Sequence, residues 1–520
     1  MTARELAPGV VEGQTLTSDL EAVADVCIVG SGAGGAVAAA TLQAAGLKVL
    51  VVEEGGYFTS SRFRMREADA YPNLYQESAQ RTTKDLSVAI FQGRTVGGGT
   101  VVNWTTCFRT PDHVVEHWRA KHAVGSISPA DLAPHFDAVE ERLSVAPIPL
   151  EATNRNNRTL YEGCKALGYE AEPIKRNVRG CALTGYCGMG CPIDAKQSML
   201  VTYLPDAMNR GATVLSRCRV ERLVLEGNEV TGLEGTLLDA DGVKPTGVKA
   251  RVKAKRFLLA AGAIGTPSVL LRSAVPDPHG LVGARTFLHP VVAVVGEFEE
   301  PVNGYYGAPQ SIASHAFAQR GDDVGFFLEA APIHPLLASI TMPGFGRGHR
   351  AFMERLPHFA AHIAITIDGF HDDVPGGRVK LRPSGAPLLD YELAPRTLAA
   401  FREGQRTLAR VQLAAGARRA LTTHTPPVEI RSESDLKKLD DAPYGPGLVP
   451  AYSAHQMGGA GISDDPARGV VRSEDLRHHQ LTNLHVVDGS VFPTSLGVNP
   501  QESIYGLSHL ISTRLAAAWT

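Results

Sequence analysis

No apolar run in this 520-residue chain is long enough to span a bilayer. The first thirty residues, MTARELAPGVVEGQTLTSDLEAVADVCIVG, carry neither a basic leader segment nor an apolar one. That pattern predicts a cytoplasmic protein without a secretory signal. An excess of either charge is also lacking. With 51 basic and 54 acidic residues, a formal net charge of −3, there is no electrostatic case for nucleic acid or an anionic membrane as partner. Cysteine is scarce, seven residues, an odd number. In a compartment that keeps thiols reduced, disulfides are not expected. Internal repeats and low-complexity tracts are missing as well. What remains is ordinary for a globular chain, 44% hydrophobic and 20% charged, and long enough for two or more domains around a large core.

Glycine, by contrast, is plentiful at 53 residues, and its placement is informative. The stretch DVCIVGSGAGGAVAAATLQAAGLKVLVVEEGG, residues 25–56, predicts a buried strand at Val26–Val29 and an Ala-rich helix ending near Gly46. A second buried strand, Leu47–Val52, follows and is closed by Glu53. Between the first strand and the helix, Gly30, Gly32 and Gly35 form G-x-G-x-x-G, and the acid stands about twenty residues on, which completes a dinucleotide fingerprint. Bare backbone lets a pyrophosphate approach the helix N-terminus, where free N–H groups and the helix dipole favour negative charge. A glutamate at the second strand's end suits a ribose diol and repels a 2′-phosphate. The unit by itself does not separate NAD from FAD.

Three later stretches share this character. GRTVGGGTVVNWTTCFRT, residues 93–110, offers the backbone N–H groups of Gly97–Gly99 and Thr100 to a phosphate or a flat ring edge. Its apolar residues Val101, Trp104 and Phe108 predict a packed loop, not a flexible one. RFLLAAGAIGTPSVLLRSAV, residues 256–275, predicts a buried strand at Phe257–Ala260 and then a helix capped by Thr266 and opened by Pro267. In NLHVVDGSVFPTSLGVNPQESIYGLSHLISTRLA, residues 483–516, a strand at Leu484–Val487 meets Asp488-Gly489-Ser490, and a helix starts at about Gln501.

Taken together, these stretches resemble the glucose–methanol–choline oxidoreductases, a family of FAD enzymes. One family signature resembles residues 93–109, a second resembles residues 262–273, and the Asp-Gly-Ser…Asn-Pro pattern resembles the flavin-closing segment. The matches fall in residues 23–56, 93–110, 212–290 and 452–515, a little under half of the chain. The resemblance implies an α/β fold. A doubly wound, Rossmann-like FAD domain would be assembled from residues 20–150, 205–289 and 451–520. An inserted α+β substrate domain on an antiparallel sheet would occupy 290–450, and a cysteine-containing loop region 151–204.

The same resemblance implies site residues. Gly30, Gly32, Ala33, Gly34, Gly35, Glu53 and Glu54 would hold the ADP half of FAD, with Val220 contacting the adenine through its backbone. Gly98, Gly99, Thr100 and Asn103 would flank the pyrophosphate and isoalloxazine, and Asp488 and Gln501 the ribityl and pyrimidine side. Gly93, Ala261, Gly262, Gly489, Asn499 and Pro500 would complete the cofactor site. Some relatives attach flavin through a histidine where this chain has Val102, so FAD is expected to be non-covalent. The chain departs from relatives at Gly459-Ala460 and Ser273-Ala274, which is expected to affect packing near the flavin.

YSAHQMGGAG places His455 on a Gly-rich loop, 44 residues before Asn499 in GVNPQES. In relatives the matching positions form a pair facing the flavin. Oxidising an alcohol removes a proton from oxygen and a hydride from carbon. A neutral imidazole can take the proton. An adjacent amide can hydrogen-bond the developing alkoxide. Flavin N5 then accepts the hydride.

Nine of the 17 Phe lie in residues 287–370, along with Tyr305 and Tyr306. GFFLEAAPIHPLL and TMPGFGRGHRAFMERL are expected to form apolar walls or a lid. A sugar or choline site would want more convergent polar groups. The expected substrate is therefore a bulky apolar alcohol, long-chain or alicyclic. Oxygen is the favoured acceptor, with a quinone or carrier protein as the alternative. A non-redox lyase or decarboxylase on the same fold is the second alternative, although lyases of this fold are secreted.

GCALTGYCGMGCPIDAKQS, residues 180–198, holds Cys181, Cys187 and Cys191 in C-x5-C-x3-C spacing. It resembles the matching stretch of long-chain alcohol oxidases, and also of dehydrogenases in which three cysteines hold an iron–sulfur cluster. No fourth ligand is nearby, so reduced loop thiols are the favoured reading and a cluster is the alternative. Cys27, Cys107, Cys164 and Cys218 lie in apolar elements and are expected in the core.

Overall fold

The computed structural model describes residues 5–342 and 344–520. Strands β1 (Gly9–Glu12) and β2 (Leu20–Val29), helix α1 (Ala33–Ala44) and strand β3 (Val49–Val52) open the chain. β3 and the last four residues of β2 are wholly buried. α1 is apolar over most of its surface, with Thr41 and Gln43 as its polar residues, because it lies between the sheet and the C-terminal helix Gln501–Trp519. Its Ala and Gly side chains are short enough for both approaches.

Later segments return to the same sheet: β4 (Thr213–Ser216), then the meander β5 (Cys218–Glu226), β6 (Glu229–Leu238) and β7 (Pro245–Leu259). The order is β1-β4-β3-β2-β7-β6-β5, parallel from β1 through β7 and antiparallel from β7 to β5. The short strand Leu484–Val486 adds parallel to the end of β7. Ligands of such sheets bind outside the carboxyl ends of the strands. Here the ends of β2 and β7, Gly30 and Ala260, lie side by side, and Gly30 has φ +100°. A Cβ on Gly30 would stand 2.3 Å from the Ala260 carbonyl oxygen.

Helix α2 (Gly262–Arg272) follows β7 directly. It starts earlier than the sequence suggests, with Pro267 inside it and not at its opening. The reason is a remote cap. Asp488 Oδ2 accepts the Gly262 N–H (2.9 Å) and the Thr266 hydroxyl (2.5 Å), so the helix begins where the strand ends. Thr266 accepts the Ala261 N–H and does not cap a later start.

A second, ten-stranded sheet is built around antiparallel β8 (Val291–Glu297), β9 (Phe326–Ala330) and β10 (Phe359–Thr366), in the order β8-β10-β9. It also takes in Val88–Ile90 and Ala451–Ser453, from outside residues 290–450. The register assigns the faces. Val291 opposes Ile365, Ala293 opposes Ile363, and Val295 opposes Ala361. Directly opposed residues share a face. The other face, with Val292, Val294, Ala364 and Leu328, packs on Phe401, Leu408 and Val411 of the helix Pro395–Ala414. Among the described residues no helix is long and apolar enough to cross a membrane.

The tightest constraint lies between α1 and the C-terminal segment, where a Cβ on Gly34 would stand 1.6 Å from the Val487 carbonyl oxygen. Gly34→Ala must push two backbones apart. It is expected to cost about 3 kcal/mol or more. Thermal unfolding of the variant beside the parent checks this; an unchanged melting temperature would contradict the contact.

Candidate active site

A cavity of about 830 Å³ lies outside the carboxyl ends of the first sheet. Three helix N-termini open onto it: α1 through Gly32, Ala33 and Gly34, α2 through Ala261 and Gly262, and the C-terminal helix through Pro500 and Gln501. None of the three has a cap from its own side chains. Their partial positive ends suit an anionic cofactor. Gly99 has open space where a Cβ would be, and Gly32 nearly so, with its nearest atom at 3.7 Å. Gly98 (φ +57°) is jammed against Gly32, its Cβ position 2.6 Å from the Gly32 Cα. A wall of bare backbone ending in helix N-termini fits the pyrophosphate of a dinucleotide.

The sequence-predicted cofactor residues Gly30, Gly32, Ala33, Gly34, Glu53, Glu54, Gly93, Gly98, Gly99, Thr100, Asn103, Val220, Ala261, Gly262, Asp488, Gly489, Asn499, Pro500 and Gln501 all line this cavity. Gly35 does not. Its Cβ would meet the Gly30 carbonyl oxygen at 2.0 Å, so it sets the closeness of α1 to β2. Several predicted residues carry structural bonds. Glu53 accepts from Ser31 N–H (2.9 Å), Ser31 Oγ (2.7 Å) and Gly55 N–H (2.7 Å), and burial raises its pKa. Thr100 Oγ1 donates to the Gly97 carbonyl and accepts from Met199 N–H. Gln501 accepts from Asn103 Nδ2 and Tyr505 OH and donates to the Thr106 carbonyl (2.5 Å). Ser31, absent from the sequence reading, ties both glycine loops to Glu53, because its hydroxyl also accepts the Gly97 N–H (3.0 Å).

The cysteine loop meets a buried ammonium. Among the described residues no three His, Cys, Asp or Glu side chains are grouped as a metal ion requires, Cys181, Cys187 and Cys191 included. All seven cysteines are free, and Cys27, Cys107, Cys164 and Cys218 are buried. What the loop supplies is the Cys187 carbonyl. Buried Lys196 donates to it (2.7 Å) and to the Val101 (2.5 Å) and Asn103 (2.9 Å) carbonyls. Burial lowers the Lys196 pKa to about 8. The lysine fastens this loop to the cofactor loop, which a search for cysteine ligands passes over.

His455 and Asn499 meet at the cavity wall. His455 Nε2 lies 3.3 Å from Asn499 Nδ2, and both residues line the wall. An amide nitrogen can only donate, so in this contact Nε2 keeps its lone pair. Behind the ring, His455 Nδ1 faces His289 Nδ1 at 3.3 Å, and the rings meet edge to face. Gly497 N–H donates to His289 Nε2 (3.2 Å), and a neutral imidazole accepts at one nitrogen only. With Nε2 of both rings accepting, each neutral ring carries its proton on Nδ1, so the facing Nδ1 atoms share no hydrogen bond. Burial pushes the His455 pKa down to about 4 and holds that of His289 well below the usual range. Asp368 fixes the turn that carries His289, accepting from the Leu288 and His289 N–H groups and from Tyr391 OH. The Ser453 hydroxyl closes the same turn on the Leu288 carbonyl (2.5 Å).

Beyond the pair, the cavity floor is the odd face of the second sheet: Val291, Ala293, Val295, Ala361, Ile363 and Ile365. Leu337, Ala338, Met342 and Phe352 stand opposite. The walls are apolar and mainly aliphatic, with Ala331, Ile333, Leu337, Met342 and Phe352 from the two stretches expected to form them. Of the nine Phe in residues 287–370, only Phe352 lines the cavity, while Phe287, Phe298, Phe326, Phe327 and Phe359 are buried in the core. No lining residue between Val291 and Gln456 is an Asp, Glu, Lys or Arg.

With this geometry in place, the comparisons decide the family. The family model for GMC oxidoreductases matches residues 52–291 in its N-terminal part and 374–508 in its C-terminal part. The chain belongs to the GMC oxidoreductase family. It is an FAD-dependent oxidoreductase. An uncharacterized GMC-type oxidoreductase of Mycobacterium tuberculosis is 33% identical over 95% of this chain and 76% of its own length. A long-chain-alcohol oxidase of Arabidopsis thaliana is 30% identical over 94% of this chain and 67% of its own. Among solved structures, a formate oxidase of Aspergillus oryzae superposes with a TM-score of 0.71 at 15% identity, covering 97% of this chain and 99% of its own. At that identity the likeness shows the fold alone.

The buried imidazoles make stability depend on pH. Burial lowers the pKa values of His362, His455, His478 and His485 to about 4, and that of His289 well below its usual value of 6.5. Above that usual value both folded and unfolded states are uncharged. Below it the unfolded chain takes up protons that the folded chain refuses, so stability falls from about pH 6.5 toward about pH 4. The melting temperature of this FAD-dependent enzyme should therefore drop across that window, and a flat profile would contradict neutral burial of these rings.

Proposed function

We propose that this GMC oxidoreductase oxidises a bulky apolar alcohol, long-chain or alicyclic, to the aldehyde or ketone, with non-covalent FAD and oxygen as electron acceptor. The observation that carries this is the position of the His455–Asn499 pair. It sits where a cavity end lined by three helix N-termini meets an end without charged side chains. FAD, when bound, supplies the hydride acceptor.

The chain's own residues do the rest. Gly30, Gly32, Gly34, Gly98 and Gly99 would bring backbone to the pyrophosphate, and Glu53 or Glu54 would meet the ribose. Asn103 and Gln501, already bonded to each other, would fix the ring side. His455 Nε2 takes the hydroxyl proton, and its low pKa keeps the lone pair free at neutral pH. The Asn499 amide donates to the oxygen as charge grows there. The floor of β8 and β10 takes the hydrocarbon and excludes water. Val102, buried at the cavity wall, has no group that could form a bond to flavin. The names of the Arabidopsis relatives support both the substrate class and oxygen as acceptor.

Two outcomes check the proposal. His455→Ala should retain its flavin and slow anaerobic flavin reduction by dodecanol about 10³-fold; reduction at the parent rate would remove His455 from the role of base. Ala293 stands mid-floor, so Ala293→Phe should shift the preferred alcohol to shorter chains with flavin content unchanged. An unaltered chain-length profile, measured as kcat/KM over a series of primary alcohols, would move the hydrocarbon site elsewhere.

A further inference from the structure

One buried carboxyl lies on the same sheet face as the apolar floor without lining the cavity. Glu329 of β9 opposes Ile363 of β10, so it shares the face that carries Ile363 and Ala293. It is fully buried. Its Oε2 accepts from Gln310 Nε2 (2.6 Å) and lies 3.3 Å from Asn499 Nδ2, while Oε1 has no partner. Among the described residues no Lys or Arg pairs with it. We propose that Glu329 is kept as an uncharged carboxylic acid that positions Asn499, and that its ionisation switches the active site off. This rests on the alcohol-oxidising reading of the His455–Asn499 pair.

The geometry sets Asn499 between two acceptors. Its Nδ2 stands 3.3 Å from both Glu329 Oε2 and His455 Nε2, one N–H for each. Glu329 thus aims the second N–H at His455 and the cavity. The line continues away from the site, since Thr106 Oγ1 donates to Gln310 Oε1 (2.8 Å) and Gln501 donates to the Thr106 carbonyl. Glu329 is thereby joined to residues lining the cofactor end.

A carboxylate here would be a buried charge without a counter-ion, which folding strongly disfavours. The titratable groups on the elements around it are His455 and His289 across Asn499, His315 and His362 beside β9, and Cys107 beyond Thr106. Burial leaves the four imidazoles neutral and raises the thiol's pKa, so none offsets a negative charge. Burial raises the Glu329 pKa to about 8, within reach of solution pH. An anion at Oε2 would draw the Asn499 N–H to itself and oppose negative charge growing on the substrate oxygen. Glu329 touches neither substrate nor cofactor, so it acts as a positioning residue through Asn499.

The test uses the holoenzyme, with anaerobic flavin reduction by dodecanol followed from about pH 6 to about pH 10. In the parent the rate should fall through a limb near pH 8. Glu329→Ala should be about tenfold slower at neutral pH with its flavin retained. Glu329→Gln, which mimics the uncharged acid, should rescue most of that loss and remove the limb. Infrared difference spectra of parent minus E329Q should show a carboxylic-acid carbonyl band at neutral pH that disappears on alkalinisation. That band needs no turnover. Its presence while dodecanol leaves the flavin oxidised would uphold the acid and sink the alcohol reading. An absent band, an alkaline limb that survives in E329Q, or an E329Q as slow as E329A would overturn the proposal.

Discussion

Backbone touching backbone without side chains is the constraint on which this molecule depends. Gly34 abuts Val487, Gly30 abuts Ala260, and Gly98 abuts Gly32, at distances where a single methyl group would not fit. These contacts join positions 453, 230 and 66 residues apart, and they make one wall from three loops. The same contacts bring three helix N-termini to one cavity. An anionic cofactor is then met by N–H groups and dipoles fixed in place before it arrives. Remote caps follow from this arrangement. Asp488 starts α2 from the far end of the chain, and Ser31 and Lys196 fasten the glycine loops to the strands and the cysteine loop behind them.

The second feature is neutrality around the His455–Asn499 pair. His455, His289 and Glu329 are all titratable, yet burial favours the uncharged form of each. A charge in this region would go unanswered until the reaction makes one. An arrangement that stabilises charge only as it develops favours the transition state over the ground state. The aliphatic floor of β8 and β10 continues the same uncharged environment and follows from strand register alone.

The first sheet and the glycine-rich wall of the cavity were legible in the sequence, because G-x-G-x-x-G, the Gly97–Gly99 run and Asp488-Gly489-Ser490 each demand a particular backbone. The start of α2 was not, since its cap is a carboxylate more than two hundred residues away. Lys196 and Asp368 escaped notice for a related reason: each satisfies backbone groups of distant segments, and no local pattern marks them. Glu329 left one faint trace, a lone acid within the buried run FFLEA, which was read only as an apolar wall. The Phe count did not show which residues line the cavity, because most of those rings fill the core between layers and composition cannot assign a face. Cysteine spacing gave no sign of Lys196, because the loop meets that ammonium through the Cys187 carbonyl.

The most direct test of the account is an anaerobic titration of the flavin-loaded enzyme with primary alcohols of increasing chain length. The account predicts bleaching of the flavin band by long alcohols, with affinity rising about fourfold for each methylene the floor buries, from about 0.8 kcal/mol per methylene. Flavin that stays oxidised with every alcohol, or ethanol and dodecanol bleaching it with equal affinity, would contradict the account.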